Sequence, residues 1–73
     1  MARLIVYKNK KCDVSFVTAC IIKFCEHEPN QAEQCATIIN STGQYDVKHG
    51  DYYQIEEMSY LFENVGLETK IVE

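Results

Sequence analysis

The sequence predicts an α+β fold, a two-layer sandwich in which a three-stranded antiparallel sheet carries three helices on one face, in the order β-α-α-β-α-β. Three segments have apolar residues at three- and four-residue steps, which is typical of amphipathic helices. Three shorter segments are β-branched or alternate in polarity, as strands do. Such a small sheet is not stable alone, so the helices are expected to cover one of its faces. A chain of 73 residues makes one core, so residues 1–73 are predicted to form a single domain.

The first segments are predicted to be a strand and a helix. Residues 3–8 are apolar on both faces and β-branched, which favours a central strand. Asp13 is a good N-cap for the helix expected over residues 14–26. The predicted buried face of this helix consists of Val14, Val17, Cys20, Ile21 and Phe24.

A second helix is predicted to begin at Pro29. The residue before a proline is pushed out of the helical region, whereas proline itself suits the first turn of a helix. Gly43 is expected to end this helix in the left-handed conformation. The buried stripe is predicted to be Ala32, Cys35, Ala36 and Ile39. These small side chains indicate close packing against the first helix.

The last third is predicted to be strand, helix and strand. Residues 44–49 alternate polar and apolar side chains, as a half-exposed strand does, and Gly50 and Asp51 provide a turn and a cap. A helix over residues 52–64 is expected to end at Gly66 and to be followed by a strand over residues 67–72. Its predicted buried residues are Ile55, Met58, Leu61 or Phe62, and Val65.

Charge and hydropathy bear on whether the chain binds nucleic acid or a membrane. The formal net charge is −4, the C-terminal third is acidic, and Lys8, Lys10 and Lys11 form one basic cluster. Nucleic-acid affinity depends on many phosphate contacts, so nucleic acid is not an expected partner. The lysines form a solvated loop or meet an acidic partner surface. No apolar run is long enough to span a membrane and the first residues are no signal peptide, so a cytoplasmic protein is expected.

The cysteines and tyrosines do not form a recognisable active site. Without a secretory signal the four cysteines are expected to be reduced core residues, and without Cys-x2-Cys spacing no metal or other cofactor is expected. Cys25 and His27 do not face each other on a helix, so no catalytic residue is predicted and the protein is not expected to be an enzyme. Tyr52 and Tyr53 form an exposed binding edge, or one of them packs.

The order of elements and several spacings resemble the ClpS family of adaptors for AAA+ Clp proteases. The matching residues are Phe16-Val17, Ile21, Lys23-Phe24, Gln31-Ala32 and Gly43. The resemblance covers residues 4–50. The shorter ending, residues 62–68, is similar to the C-terminal domain of the ribosomal stalk protein, which has a ClpS-like fold. Both resemblances imply the same architecture, but they imply different functions.

The ClpS resemblance implies a surface pocket that binds the N-terminal residue of a substrate. In the family, an apolar socket takes a bulky side chain, and fixed acceptors grip the α-amino group. The socket wall falls on Val14, Val17, Ala36, Ile39 and Leu67 of this sequence. The amine clamp falls on Asn9 and Asn40, with Asp13 as a further acceptor if the loop turns it inward.

Two departures from the family pattern bear on function. The loop after the first strand is one residue shorter and has lysines where the family has an acid, which repels an ammonium group. The first strand begins near residue 3, so no N-terminal delivery tail is expected. The residue pattern therefore predicts a degenerate N-degron pocket.

Three functional hypotheses follow. The first is a non-catalytic, monomeric ClpS-like adaptor or modulator that binds a Clp-type AAA+ protease, peptide N-termini, or both. The second is a small interaction protein of the phage or mobile-element type, with a ribosomal-stalk-like fold, that binds host machinery unrelated to proteolysis. The third is a degenerate family member that occupies the adaptor-docking surface of the ATPase. In all three the partner is a protein.

Overall fold

The computed structural model describes residues 1–73 and has the predicted order of elements. The strands are β1 (Ala2–Tyr7), β2 (Gln44–Gly50) and β3 (Thr69–Val72), and the helices are α1 (Val14–Cys25), α2 (Pro29–Thr42) and α3 (Tyr52–Asn64). The predicted α+β class is therefore confirmed. None of the three helices has both the length and the apolar character required to cross a membrane.

The sheet is antiparallel throughout, with β1 in the centre and the strand order β2-β1-β3. Alternate residues of β1 point to opposite faces, so Leu4 and Val6 are buried under the helices while Arg3 is exposed. The register with β2 shifts by one residue between Leu4 and Ile5. Val47 is the residue of β2 left out of the pairing, and its side chain is buried.

Local sequence signals determine where the helices begin and end. The carboxylate of Asp13 accepts a hydrogen bond from the Phe16 amide at 2.8 Å, as expected of an N-cap. Pro29 occupies the first turn of α2, and Gly43 ends it with a φ of 96°. Asp51 caps α3 by accepting from the amide of Tyr53 at 3.2 Å.

The core lies between the sheet and the helices, and α3 packs on β1 and β3 while α2 packs on β2 and α1. Phe62 is fully buried and meets Phe24 edge-on, with ring centroids 5.1 Å apart. The core consists of Ala2, Leu4, Val6, Val17, Cys20, Ile21, Cys25, Ala32, Cys35, Ala36, Ile39, Val47, Ile55, Met58, Phe62 and Leu67.

Burial in the last third differs from the prediction at one position. Val65, expected in the core, is 38% exposed. The reason is that α3 ends at Asn64, so Val65 is no longer on the inner face of the helix. Leu67, one residue after the turn at Gly66, is buried instead. Of the two alternatives on α3, Phe62 is buried and Leu61 is 42% exposed.

Polar contacts fasten the helical layer to the strands. His27 Nε2 lies 2.6 Å from the carbonyl oxygen of Val47, which can only accept, so this nitrogen carries the proton. Lys48 donates to the carbonyl of Cys25 at 3.2 Å. These two bonds fasten the turn between α1 and α2 to β2.

Candidate functional site

A shallow cleft lies where the loop after β1 meets the start of α1 and the end of α2. Its lining residues are Lys8, Asn9, Cys12, Asp13, Val14, Val17, Ala36, Ile39 and Asn40. The fold thus brings together all but one of the residues that the ClpS resemblance implies. The exception is Leu67, which is 1% exposed and does not line the cleft.

The free space in the cleft is about 10 Å³. A cavity of this size accommodates about one water molecule, whereas sites for small ligands usually measure about 300–1,000 Å³. Val17, Ala36 and Ile39 form its floor and are all buried in the core. The apolar socket is therefore filled by the protein's own packing and has no room for a bulky side chain in this conformation.

The amine end of the cleft is occupied by a cation of the protein itself. Lys8 Nζ donates a hydrogen bond to the backbone carbonyl oxygen of Asn40 at 3.2 Å. The backbone amide of Lys8 donates to Gly43 at 2.8 Å, so the end of β1 is held against the end of α2. A ligand ammonium placed beside Asn40 would meet the Lys8 charge at close range.

Asn9 is used to hold the loop. Its side-chain amide donates to the carbonyl oxygen of Gly66 at 2.7 Å, and its Oδ1 accepts from the backbone amide of Lys11 at 2.9 Å. The second contact is an Asx turn, which is a common local arrangement of asparagine. Asn9 therefore joins the loop after β1 to the turn after α3, and its acceptor oxygen already has a partner.

Asp13 is also engaged with backbone. Its carboxylate caps α1 through the Phe16 amide, so the N-cap role is confirmed. The cleft consequently contains no carboxylate that is free of a backbone partner. Its polar rim is Lys8, Asn9, Asp13 and Asn40, which is one cation, one anion and two neutral amides.

A second surface, which sequence reasoning identified only in part, is the outer side of α3. Tyr53 is 75% exposed and Tyr60 is 61% exposed, and Leu61 lies beside them. Glu57 is four residues after Tyr53, three before Tyr60 and four before Leu61, so these residues share one helix face; we call them the α3 face. Helical spacing alone indicates the α3 face once Phe62 is known to lie on the buried side of the helix.

The Tyr52–Tyr53 edge is exposed, and its role in binding stays a prediction. Neither ring packs into the core, since Tyr52 is 39% exposed and Tyr53 more so. The rings contact each other edge-on, with centroids 6.0 Å apart. Glu56 beside Tyr52 raises the pKa of its hydroxyl, so this tyrosine stays neutral at physiological pH.

The four cysteines are free thiols. Burial raises the pKa of the Cys25 thiol to about 11, and burial also raises the pKa values of Cys20 and Cys35. Their neutral forms therefore persist at physiological pH, which disfavours nucleophilic reactivity. No three His, Cys, Asp or Glu side chains come together in an arrangement that could hold a metal ion.

The fold and these two surfaces define a small α+β module with a closed cleft and an exposed aromatic helix face. The family model described as ATP-dependent Clp protease adaptor protein ClpS matches residues 1–68. The chain therefore belongs to the ClpS family, as the spacing of residues 4–50 predicts, and the match also includes α3. A comparison with curated proteins finds no match.

Proposed function

We propose that this protein is a non-catalytic ClpS-family adaptor or modulator that docks on a Clp-type AAA+ ATPase and whose N-degron pocket is degenerate. The observation that carries the proposal is the contact between Lys8 and Asn40, because it puts a cation beside a residue of the amine clamp that the family resemblance implies. The family supports the role in Clp proteolysis. The closed cleft distinguishes this chain from an ordinary receptor for N-terminal residues.

Both shape and charge weaken recognition of peptide N-termini. A bulky N-terminal side chain needs an apolar socket, and the available space is about 10 Å³. An α-ammonium needs acceptors, preferably one that is anionic, and the Oδ1 atoms of both Asn9 and Asp13 already accept from backbone amides. We infer that peptides with N-terminal Phe, Leu, Tyr or Trp bind weakly or not at all.

The α3 face is the surface that we assign to ATPase docking. Exposed tyrosines bury much apolar area at a low entropic cost, which is why they are frequent at protein interfaces. Tyr53 and Tyr60 are the most exposed aromatic side chains of the chain. They lie on a regular helix, so docking requires no rearrangement of the fold.

Calorimetric titration against the isolated N-domain of a Clp ATPase tests the proposal. We expect binding with a Kd of about 100 μM or tighter, in the range of weak transient interfaces. The same protein titrated with a peptide that begins with Phe should give no heat of binding. Absence of N-domain binding would overturn the proposed function, and tight peptide binding would overturn the closed pocket.

A pair of lysine variants tests whether Lys8 blocks the cleft. Lys8→Ala removes the ammonium and the stem that line the cleft, so the affinity for the Phe peptide should rise. Lys10→Ala removes the same charge from an exposed side chain that does not line the cleft, and should leave the affinity unchanged. An equal gain in both variants would mean that only net charge matters and that Lys8 does not block the site.

A further inference from the structure

Three of the seven basic residues of this acidic protein lie within one four-residue stretch. Lys8, Lys10 and Lys11 are all exposed, and we call them the basic loop. Lys8 lines the cleft, and Lys10 and Lys11 lie in the same loop without lining it. The basic loop therefore carries a charge opposite in sign to that of the molecule as a whole.

None of these lysines is paired with a carboxylate. Asp46 pairs with Arg3, at 3.4 Å from its Nη1, and lies 2.9 Å from His49 Nε2. The only hydrogen bond made by a lysine side chain of the basic loop runs from Lys8 to a neutral backbone carbonyl. Asp13, the nearest acid in sequence, is occupied as the cap of α1.

The backbone of the loop is held by hydrogen bonds at several points, so the backbone positions of the three lysines are fixed relative to one another. Asn9 is bonded to Gly66 and to the amide of Lys11, and its own carbonyl accepts from the amide of Cys12 at 2.9 Å. A preorganised charge cluster loses less conformational entropy on binding than a mobile one. The loop is thus a ready-made site for a complementary anionic group.

We propose that the basic loop binds an acidic segment of a protein partner, rich in Asp or Glu. This inference rests on the proposed function, because it names the chemical class of the segment that the adaptor holds while the α3 face engages the ATPase. Three exposed lysines beside a closed socket favour a partner that carries carboxylates over the ammonium that the family pattern implies. The change follows from the charge of this loop and not from a new fold.

An acidic peptide fits better than a nucleic acid. The net charge of −4 repels an extended polyphosphate, and three lysines neutralise only a few phosphates. A short acidic segment can contact the loop alone, within one Debye length of about 8 Å at physiological salt. The contacts are solvent-exposed, so the affinity should be modest and should fall as salt is added.

Fluorescence anisotropy with a labelled decapeptide of alternating Asp and Gly tests the proposal. The variant Lys10→Glu/Lys11→Glu should weaken binding by about tenfold at low salt, since both charges are reversed. The matched control Lys23→Glu/Lys70→Glu makes the same change in net charge at two exposed lysines outside the loop and should bind as the wild type does. A peptide of alternating Asn and Gly should not bind.

Several results would overturn the inference. They are equal loss in both double variants, equal binding of the Asn-Gly peptide, or equally tight binding of a single-stranded oligonucleotide. N-domain binding measured on the same samples separates this inference from the proposed function. If the acidic peptide does not bind while the N-domain binds, only the inference is contradicted. If the acidic peptide binds while the N-domain does not, only the ATPase role is contradicted.

Discussion

The side chains of Asn9 and Asp13 each hold the start of α1 in place by bonding to backbone. Asp13 accepts from the Phe16 amide at 2.8 Å, and Asn9 joins the loop to Gly66 at 2.7 Å. Residue types that suit a ligand clamp also suit caps and turns, because both tasks need a short polar side chain. At this cleft the observed hydrogen bonds of Asn9 and Asp13 are those of a turn and a helix cap.

Asp13→Ala tests the capping role. The variant should lose about 1 kcal/mol of unfolding free energy, because an amide at the first turn of α1 is left without its partner. Urea denaturation monitored by circular dichroism measures the change. Asp13→Ser is the matched control, since serine also caps, and it should stay within a few tenths of the wild type. Equal losses in both variants would contradict the capping account.

Cys25 makes the stability depend on pH in the alkaline range. Burial raises its pKa from 9.0 to about 11, so the folded state favours the neutral thiol. Because the folded pKa lies above the unfolded one, this contribution is complete below pH 9.0 and is lost as the pH rises to about 11. Stability should fall by about 2 kcal/mol across this window, measured by urea denaturation at several pH values.

The slope of that pH dependence should be smaller in Cys25→Ala, even though the variant is less stable overall. Cys12→Ala is the control, because Cys12 is only half-buried and lies outside the central core. An unchanged slope in Cys25→Ala would show that other groups cause the alkaline loss.

At the scale of the elements, the two sides of α3 have different roles, one in packing and the other in binding. Phe62 and Ile55 fix its inner side against the sheet, and Tyr53 and Tyr60 are displayed on its outer side. A helix held by its inner face can present these tyrosines without cost to the fold. Binding and stability should therefore be separable on this element.

The double variant Tyr53→Ala/Tyr60→Ala tests that separation. Binding to the ATPase N-domain should weaken by at least about tenfold, because truncated interface tyrosines usually cost more than 1 kcal/mol each. The melting temperature should stay close to that of the wild type, since both rings are mostly exposed. Tyr45→Ala on β2 is the control and should bind normally. Full binding by the double variant would remove the α3 face as the docking surface.

Element boundaries follow well from the sequence where capping residues are present. Asp13, Pro29 and Gly43 each mark a boundary of a helix in the structure, because their backbone or side-chain preferences act locally. The end of α3 is less predictable. Gly66 has a φ of 96°, as its residue type predicts, but whether Val65 or Leu67 enters the core depends on the path of the chain around this turn and not on residue preference.

At the scale of the whole molecule, a core of 16 residues provides only a modest free energy of unfolding. A domain of this size usually has an unfolding free energy of roughly 4–11 kcal/mol. Phe62→Ala removes a fully buried ring and should cost about 3–5 kcal/mol, so its melting temperature should lie well below that of the wild type. Phe16→Ala, at a ring that is 41% exposed, is the matched control and should remain folded by circular dichroism. Similar losses in both would contradict this description of the core.

The location of the cleft is predictable from the sequence, but its closure is not. Val14, Val17, Ala36 and Ile39 come together because the helical spacings that carry the family resemblance also fix how α1 meets α2. The contact between Lys8 and Asn40 joins residues far apart in sequence and depends on where a flexible side chain settles. Similarly, only packing reveals that Leu67 belongs to the core.

Chemical-shift mapping of the ¹⁵N-labelled protein tests the central claim most directly, because it locates the partner surface and examines the cleft in one sample. Addition of a Clp ATPase N-domain should shift the amides around Tyr53 and Tyr60, and a peptide beginning with Phe should shift none of Val14, Val17, Ile39 and Asn40. The account is contradicted if the peptide shifts these cleft amides at about 100 μM, or if the N-domain leaves every amide of α3 unmoved.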